Sequence, residues 1–246
     1  MKERFVQAIV AGTVFAAVSS AQLFTEPPPI IQLVRMSAAN AASKPYEGTP
    51  LEVIGMNSVT GSPEFWLLEA HRSFASIEDL DRRTVTLVPP EDSHTIIAVY
   101  REDWSYHPVD AARLFPRARY VRVSIHQVRT GMEQDYGQLM QLRRQTEDSM
   151  GLDRPEMVYQ VISGAPVGTY LFVAPFVSLA KLDDGRPDVP VYAERLANAR
   201  AEAKAKIAPD AEIARDNVFL RVDPSRSYVS EQFAAQDPTF WRGGGQ

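Results

Sequence analysis

The chain of 246 residues contains no cysteine. Structural disulfides and thiolate metal sites are therefore excluded, and no lipid-bearing cysteine follows the N-terminal region. Histidine is scarce as well. The four histidines are His71, His94, His107 and His126, and their spacing matches neither HExxH nor His-x-His. The sequence thus predicts no metal site and no cofactor.

Long apolar runs are also missing. The apolar run Phe5–Val18 has 14 residues, against the roughly 20 that span a bilayer. Two basic residues precede the run, and Ser19-Ser20-Ala21 follows it, which is typical of a signal-peptidase site. We expect a signal peptide over residues 1–21 with cleavage near Ala21-Gln22. The protein would then be periplasmic or secreted, with no membrane contact beyond that peptide.

Excess positive charge is absent too. The chain has 26 Lys and Arg against 31 Asp and Glu, a formal net charge of −5 at pH 7. Residues 1–21 carry two basic and one acidic side chain, so their removal leaves −6. Nucleic-acid binding requires a positive patch, and we therefore predict no nucleic-acid partner. The apolar content of 45% is that of an ordinary globular protein with one large or two small domains.

The second half of the chain shows a clear order of elements. Arg119–Val128 alternates in polarity and predicts a strand. Thr130 and Glu133 have the spacing of a capping box for the next helix, which is predicted to end at Gly151. The later predicted elements are a hairpin of Met157–Ser163 and Thr169–Ala174, a short helix at Ser178–Asp183, a helix at about Val191–Ile207 and a strand at Asn217–Val222. The order β-α-β-β-α-β is ferredoxin-like.

The first half repeats this order in a shortened form. "SVTGSP" at Ser58–Pro63 matches "VISGAP" at Val161–Pro166, with Gly61 opposite Gly164, and "SFASIEDLD" matches "SLAKLD". The predicted elements are strands at Ile30–Val34, Leu51–Val59, Glu64–Glu69 and His94–Tyr100, at most a stunted helix at Ser37–Ser43, and a helix at Ser73–Asp81. Because turn, strand and helix start recur in the same order, we interpret the chain as an internal duplication.

Two such units would pack sheet against sheet with their helices outside. The predicted fold is therefore α+β: two tandem ferredoxin-like βαββαβ repeats that form one pseudo-dimeric α+β barrel around a central cavity. The predicted segments are a signal peptide at 1–21, a degenerate first repeat at 28–100, a linker at 101–117, a second repeat at 118–223 and a C-terminal tail at 224–246. Phe233, Phe240 and Trp241 of the tail would pack on the barrel or on another subunit of a homo-oligomer.

Several segments also resemble a known family. "RYVRVSIHQVRTG", "YQVISGAPVGTYL" and "NVFLRVDPSRSYVSEQFAAQDPTFW" are similar to exported bacterial proteins of unknown function with a dimeric α+β barrel fold. The resemblance covers roughly Pro28–Trp241. It implies the barrel fold, whereas the wider superfamily includes cofactor-free monooxygenases, haem-dependent enzymes, isomerases and binding proteins. The fold alone does not choose among these functions.

The strand at Arg119–Val128 carries the candidate site. We expect one of its faces to pack under the helices: Val121, Val123 and Ile125. The other face would line the central cavity: Tyr120, Arg122, Ser124 and His126. Burying such side chains without partners costs about 1–3 kcal/mol each, so either a ligand cavity or a closed polar core would explain them. Tyr159 and Gln160, just before the second glycine turn, would line the cavity mouth or cap the turn.

Three functions remain open at this point. The first is an exported small-molecule-binding, or otherwise non-catalytic, barrel protein of unknown ligand, because the polar cavity lacks a catalytic constellation. The second is a cofactor-independent monooxygenase or isomerase in which Arg122 stabilises an enolate-like anion and His126 moves a proton. The third is a structural or assembly protein that uses the aromatic tail as its interaction element.

Overall fold

The structure is a computed structural model that describes residues 25–40, 52–83, 92–184, 188–202 and 211–243. The predicted signal peptide lies outside these ranges. Of the expected short helix at Ser37–Ser43, Ala38–Asn40 form a 3₁₀ turn and the last three residues lie outside the described ranges. Within those ranges, no helix is both long enough and apolar enough to span a bilayer.

The described strands close into one eight-stranded antiparallel barrel. The strands are β1 (Ile30–Ser37), β2 (Val53–Ser58), β3 (Glu64–His71), β4 (His94–Tyr100), β5 (Tyr120–Val128), β6 (Met157–Ser163), β7 (Thr169–Phe176) and β8 (Glu212–Val222). They pair in the order β1-β3-β2-β8-β5-β7-β6-β4. The first four strands run β4-β1-β3-β2 and the last four run β8-β5-β7-β6. The two halves of the chain thus have the same relative strand order.

The helices lie outside the barrel or at its end. They are α1 (Phe74–Arg83), α2 (Pro108–Leu114), α3 (Glu133–Met150), α4 (Lys181–Asp184), α5 (Asp188–Glu202), α6 (Glu231–Ala234) and α7 (Pro238–Arg242). The predicted capping box of α3 is wrong, because no side chain caps its first turn. The Glu133 carboxylate instead accepts a hydrogen bond from the Gly131 amide at 2.9 Å. The helix ends at Gly151 as predicted, and a φ of 60° provides the left-handed cap there.

The predicted central cavity is also wrong. The barrel interior is filled by one apolar cluster to which all eight strands contribute. Val121 and Val123 of β5 belong to this cluster and are 0% and 2% exposed, so they face the interior and not the helices. Because successive side chains on a strand alternate between its faces, Arg122, Ser124 and His126 must point outward, towards α3.

The connection between the halves and the tail close part of the barrel. Residues 101–117, the predicted linker, include α2, whose Ala111 and Ala112 are fully buried in the barrel cluster. In the tail, Phe233 and Trp241 are buried in the same cluster, and the Trp241 indole Nε1 donates to the Pro116 carbonyl at 2.6 Å. The tail therefore packs on its own barrel.

Candidate functional site

A pocket of about 400 Å³ lies on the outer face of the second half of the barrel. Strands β5 and β8 and the segment before β6 provide one side of it, and helices α3 and α5 provide the other. It is lined by Arg122, Ser124, His126, Leu139, Met140, Arg143, Glu147, Arg154, Glu156, Tyr192, Leu196, Arg200, Ala211, Glu212, Arg215 and Asn217. Arg122, Ser124 and His126 were predicted to face a cavity inside the barrel. They line this pocket together, but it lies outside the barrel and under the helices.

Glu156 organises the floor of this pocket. Its side chain is buried, and its two oxygens accept hydrogen bonds from Arg122 Nη2 at 3.0 Å and Arg143 Nη2 at 2.6 Å. Burial alone would raise the pKa of Glu156, but the two guanidinium groups outweigh it and lower the pKa. Glu156 therefore stays ionised and fixes the positions of both arginines.

Arg143 is shared between two buried carboxylates. Its Nε donates to Glu147 Oε1 at 3.0 Å, while its Nη2 donates to Glu156. Burial opposes the charge of Arg143, but attraction to Glu156 and Glu147 raises its pKa. The carboxylate of Glu147 has fewer hydrogen-bond donors than that of Glu156, because its Oε2 is buried without a hydrogen-bond partner among the described residues. Burial raises the pKa of Glu147 despite the neighbouring Arg143.

His126 is a neutral imidazole in the same pocket. Its Nδ1 lies 2.6 Å from the Tyr136 hydroxyl, and its ring lies against Phe172 with centroids 4.1 Å apart. Burial, reinforced by the positive charge of Arg215, lowers the pKa of His126 to about 3. Glu212 approaches Nδ1 to 3.4 Å but is already bound by Arg215 through two 2.6 Å hydrogen bonds. We therefore do not treat the contact between His126 and Glu212 as an ion pair.

The pocket carries excess positive charge. Five arginines and three glutamates line it, a formal excess of two positive charges in a chain whose net charge is −5. Arg200, on α5, forms no ion pair with any residue in the described ranges. Leu139, Met140 and Leu196 add an apolar surface between the charged groups. This combination suits a small anion that has an apolar body.

Three of the predicted cavity residues lie elsewhere. Tyr159 points into the barrel interior, where its hydroxyl donates to the sulfur of Met157 at 3.7 Å. Gln160 accepts a hydrogen bond from Arg101 Nη1 at 2.8 Å and does not line the pocket. Tyr120, at the start of β5, does not line it either. The predicted cavity mouth is therefore wrong, because alternation turns Tyr159 to the opposite side of the sheet from the pocket.

Sequence reasoning missed most of the charged residues of the site. Arg143 and Glu147 are one helical turn apart and lie on the same side of α3 as the buried Tyr136 and Met140. Two charged residues on an otherwise buried helical stripe are the signal that points to them. Glu156 gives no such signal, because its role depends on the arginines that the fold brings to it.

The pocket does not suit a haem, one of the groups that the superfamily resemblance implies. A porphyrin needs flat apolar walls and an axial ligand, whereas eight of the sixteen lining residues are charged. The one lining histidine, His126, lies tilted against Phe172, with its Nδ1 2.6 Å from the Tyr136 hydroxyl. Among the described residues, no group of three or more His, Asp or Glu side chains could hold a metal ion.

Comparison with known proteins shows the fold and nothing finer. No protein-family model matches the chain, and no curated protein matches it. An anthrone oxidase-like protein of known structure is 13% identical, with a TM-score of 0.51, over 84% of this chain and 96% of its own. A mutant chlorite dismutase from Candidatus Nitrospira defluvii is 7% identical with a TM-score of 0.49, over 83% of this chain and 95% of its own. A provisionally assigned monooxygenase of Lactobacillus acidophilus is 10% identical with a TM-score of 0.45, over 83% and 100%. The chain thus has a mixed α+β architecture of the dimeric α+β barrel class.

Proposed function

We propose that the protein binds a small organic anion in the pocket between the outer face of β5 and β8 and helices α3 and α5. One observation carries the proposal: the pocket has two more arginines than carboxylates, and Arg200 is unpaired within the described ranges. Uncompensated positive charge beside apolar surface is favourable only when an anion or water balances it. A carboxylate or sulfonate on an apolar body meets both requirements.

Calorimetric titration at low ionic strength tests this proposal, because salt screens exposed charges. The probes are benzoate and benzenesulfonate, with methyl phenyl sulfone as an uncharged analogue of similar shape. We expect saturable binding of the anions and no binding of the sulfone. Failure of both anions to bind at millimolar concentration, or equal binding of the sulfone, would contradict the proposal.

A matched pair of variants locates the binding. Arg200→Gln removes the pocket guanidinium of α5 that has no ion-pair partner among the described residues, and Arg195→Gln removes an exposed one from the same helix outside the pocket. We expect Arg200→Gln to weaken benzenesulfonate binding at least about tenfold, which corresponds to one charge-assisted contact. Arg195→Gln is expected to leave it unchanged. Native mass spectrometry of the protein from its own source would identify a retained ligand and report the oligomeric mass.

A second candidate function is proton-transfer catalysis without a cofactor, as a monooxygenase or isomerase. It is favoured by the neutral His126, which lies in the pocket next to Tyr136 and four residues after Arg122 on the same face of β5. His126 would move the proton and Arg122 would stabilise the resulting anion. If the wild-type protein turns over a substrate, loss of that turnover in His126→Gln with an unchanged circular dichroism spectrum would support a catalytic role for His126. Full activity of that variant would exclude this role.

Three further proposals concern the whole chain. The identical strand orders of the two halves support two tandem ferredoxin-like repeats. Export rests on the sequence of residues 1–21, and N-terminal sequencing of the mature protein is expected to begin at Gln22. The assembly hypothesis has less support, because Phe233 and Trp241 are buried in their own chain. A homo-oligomer stays a prediction for native mass spectrometry.

A further inference from the structure

We propose that the pocket takes up one proton together with its anionic ligand, and that Glu147 receives this proton. The inference rests on the anion-binding function proposed above. It concerns how the affinity of that same site depends on pH.

The geometry distinguishes Glu147 from its neighbour Glu156. Both carboxylates bind Arg143, but Glu156 also binds Arg122, so that each of its oxygens has a guanidinium donor. Glu147 has one such donor, and its Oε2 is buried without a partner among the described residues. Of two close buried carboxylates, the one with fewer donors is the one that accepts a proton first.

The charged and titratable groups around Glu147 come from three elements. Arg143 lies on the same helix, Arg154 and Glu156 lie on the segment before β6, and Tyr192 lies on α5. Burial raises the pKa of Glu147, Arg143 opposes that shift, and Glu156 adds to it. A bound anion would stabilise the neutral carboxyl further. By linkage, affinity for the anion then rises as pH falls through the pKa of Glu147.

His126 is the alternative proton acceptor. It lines the same pocket and is neutral, so a nearby anion would favour its protonation as well. The two residues lie on different elements, α3 and β5, and can be changed separately. A test of the inference must therefore compare them.

The experiment measures the Kd of benzenesulfonate from about pH 5 to pH 9, a range in which this sulfonate stays fully ionised. For wild type we expect Kd to rise with pH by up to about tenfold per pH unit, the limit for one coupled proton. Glu147→Gln is expected to bind with a Kd that no longer depends on pH. His126→Asn is expected to keep the wild-type slope.

A second measurement needs no variant and so does not depend on whether Glu147→Gln folds. Binding enthalpies of the wild-type protein are compared in Bis-Tris and Tris buffers of equal pH and chloride concentration, because proton uptake adds the buffer's ionisation enthalpy and neither buffer base is an anion that could compete for the pocket. The proposal predicts a difference that corresponds to uptake of a proton. A pH-independent Kd without uptake, or a slope that survives Glu147→Gln and vanishes in His126→Asn, would overturn it. Absence of binding at every pH would instead refute the anion-binding function itself.

Discussion

Replacement of Glu156 by Gln is predicted to destabilise the protein strongly. The carboxylate is buried and binds Arg122 at 3.0 Å and Arg143 at 2.6 Å. Glutamine keeps the shape but offers one acceptor oxygen, and its amide NH₂ would face a second donor. Loss of one partner from a buried ion pair costs about 3–5 kcal/mol. The two arginine side chains are 28% and 22% exposed and regain some water, so we expect the lower end, about 3 kcal/mol.

Urea unfolding at pH 7, followed by circular dichroism, measures this loss. The matched control is Glu231→Gln, since Glu231 also pairs with an arginine, Arg242, but its side chain is 88% exposed. We expect that control to change the free energy of unfolding by less than about 0.5 kcal/mol. A loss below about 1 kcal/mol for Glu156→Gln, the range of an exposed pair, would refute the view that Glu156 holds the two arginines in place.

The pH dependence of the difference in free energy of unfolding between wild type and Glu156→Gln gives an independent check. The pKa of folded Glu156 lies below its ordinary value of 4.5. Its contribution to stability is therefore complete above that unfolded value and is lost as pH falls through the lower folded value. The gap between wild type and Glu156→Gln should stay constant from neutral pH down to about pH 5 and shrink in more acidic buffer. A gap that narrows as pH rises would contradict this assignment.

The remaining predictions concern a second carboxylate, two turns and the tail. The pKa of Glu147 is raised in the folded protein, so its ionisation costs stability as pH rises above 4.5. The thermal midpoint of Glu147→Gln relative to that of wild type should therefore increase from pH 5 to pH 8. A difference in midpoint that stays constant with pH would argue against this prediction. Gly61→Ala, at a φ of 79° with nothing near the added Cβ, should cost about 1–2 kcal/mol in urea unfolding. Gly164→Ala should cost clearly more, because its Cβ would lie 1.9 Å from the Thr95 carbonyl oxygen. Trp241→Ala should cost about 3–5 kcal/mol with no change of mass in size-exclusion chromatography; a changed oligomer would favour the assembly role.

Most strands could be predicted because alternation and turn residues are local signals. The strand His94–Tyr100 has the predicted bounds, and β5 differs from its prediction by one residue. Strand β8 was predicted too short, since its residues from Glu212 to Asn217 are largely exposed and do not alternate in polarity. Its first part is fixed by pairing with β5, which only the folded chain provides.

The side on which the candidate site lies could not be predicted from alternation. A period of two separates the faces of β5 but does not say which one is inside, and here both are covered. The apolar face fills the barrel, whereas the face with Arg122, Ser124 and His126 meets α3. Glu156 was missed for a related reason, since its contact with Arg122 spans 34 positions and joins β5 to the segment before β6, which only the folded sheet brings together.

The strand registers explain why the pocket lies in the second half of the chain. Matching the hairpin β2–β3 to β6–β7 through their glycine turns places Leu67 at the position of Phe172, and the pairings of β1 and β5 then follow. The matched positions are Val34 with Ser124, Met36 with His126, and Val53 with Glu156. All three first-half residues belong to a buried apolar cluster with Phe65 and Leu67. At these positions, apolar contacts stabilise the first half. The second half holds charged groups whose burial costs free energy unless they are paired, and that arrangement is expected where a site serves a ligand and not the fold.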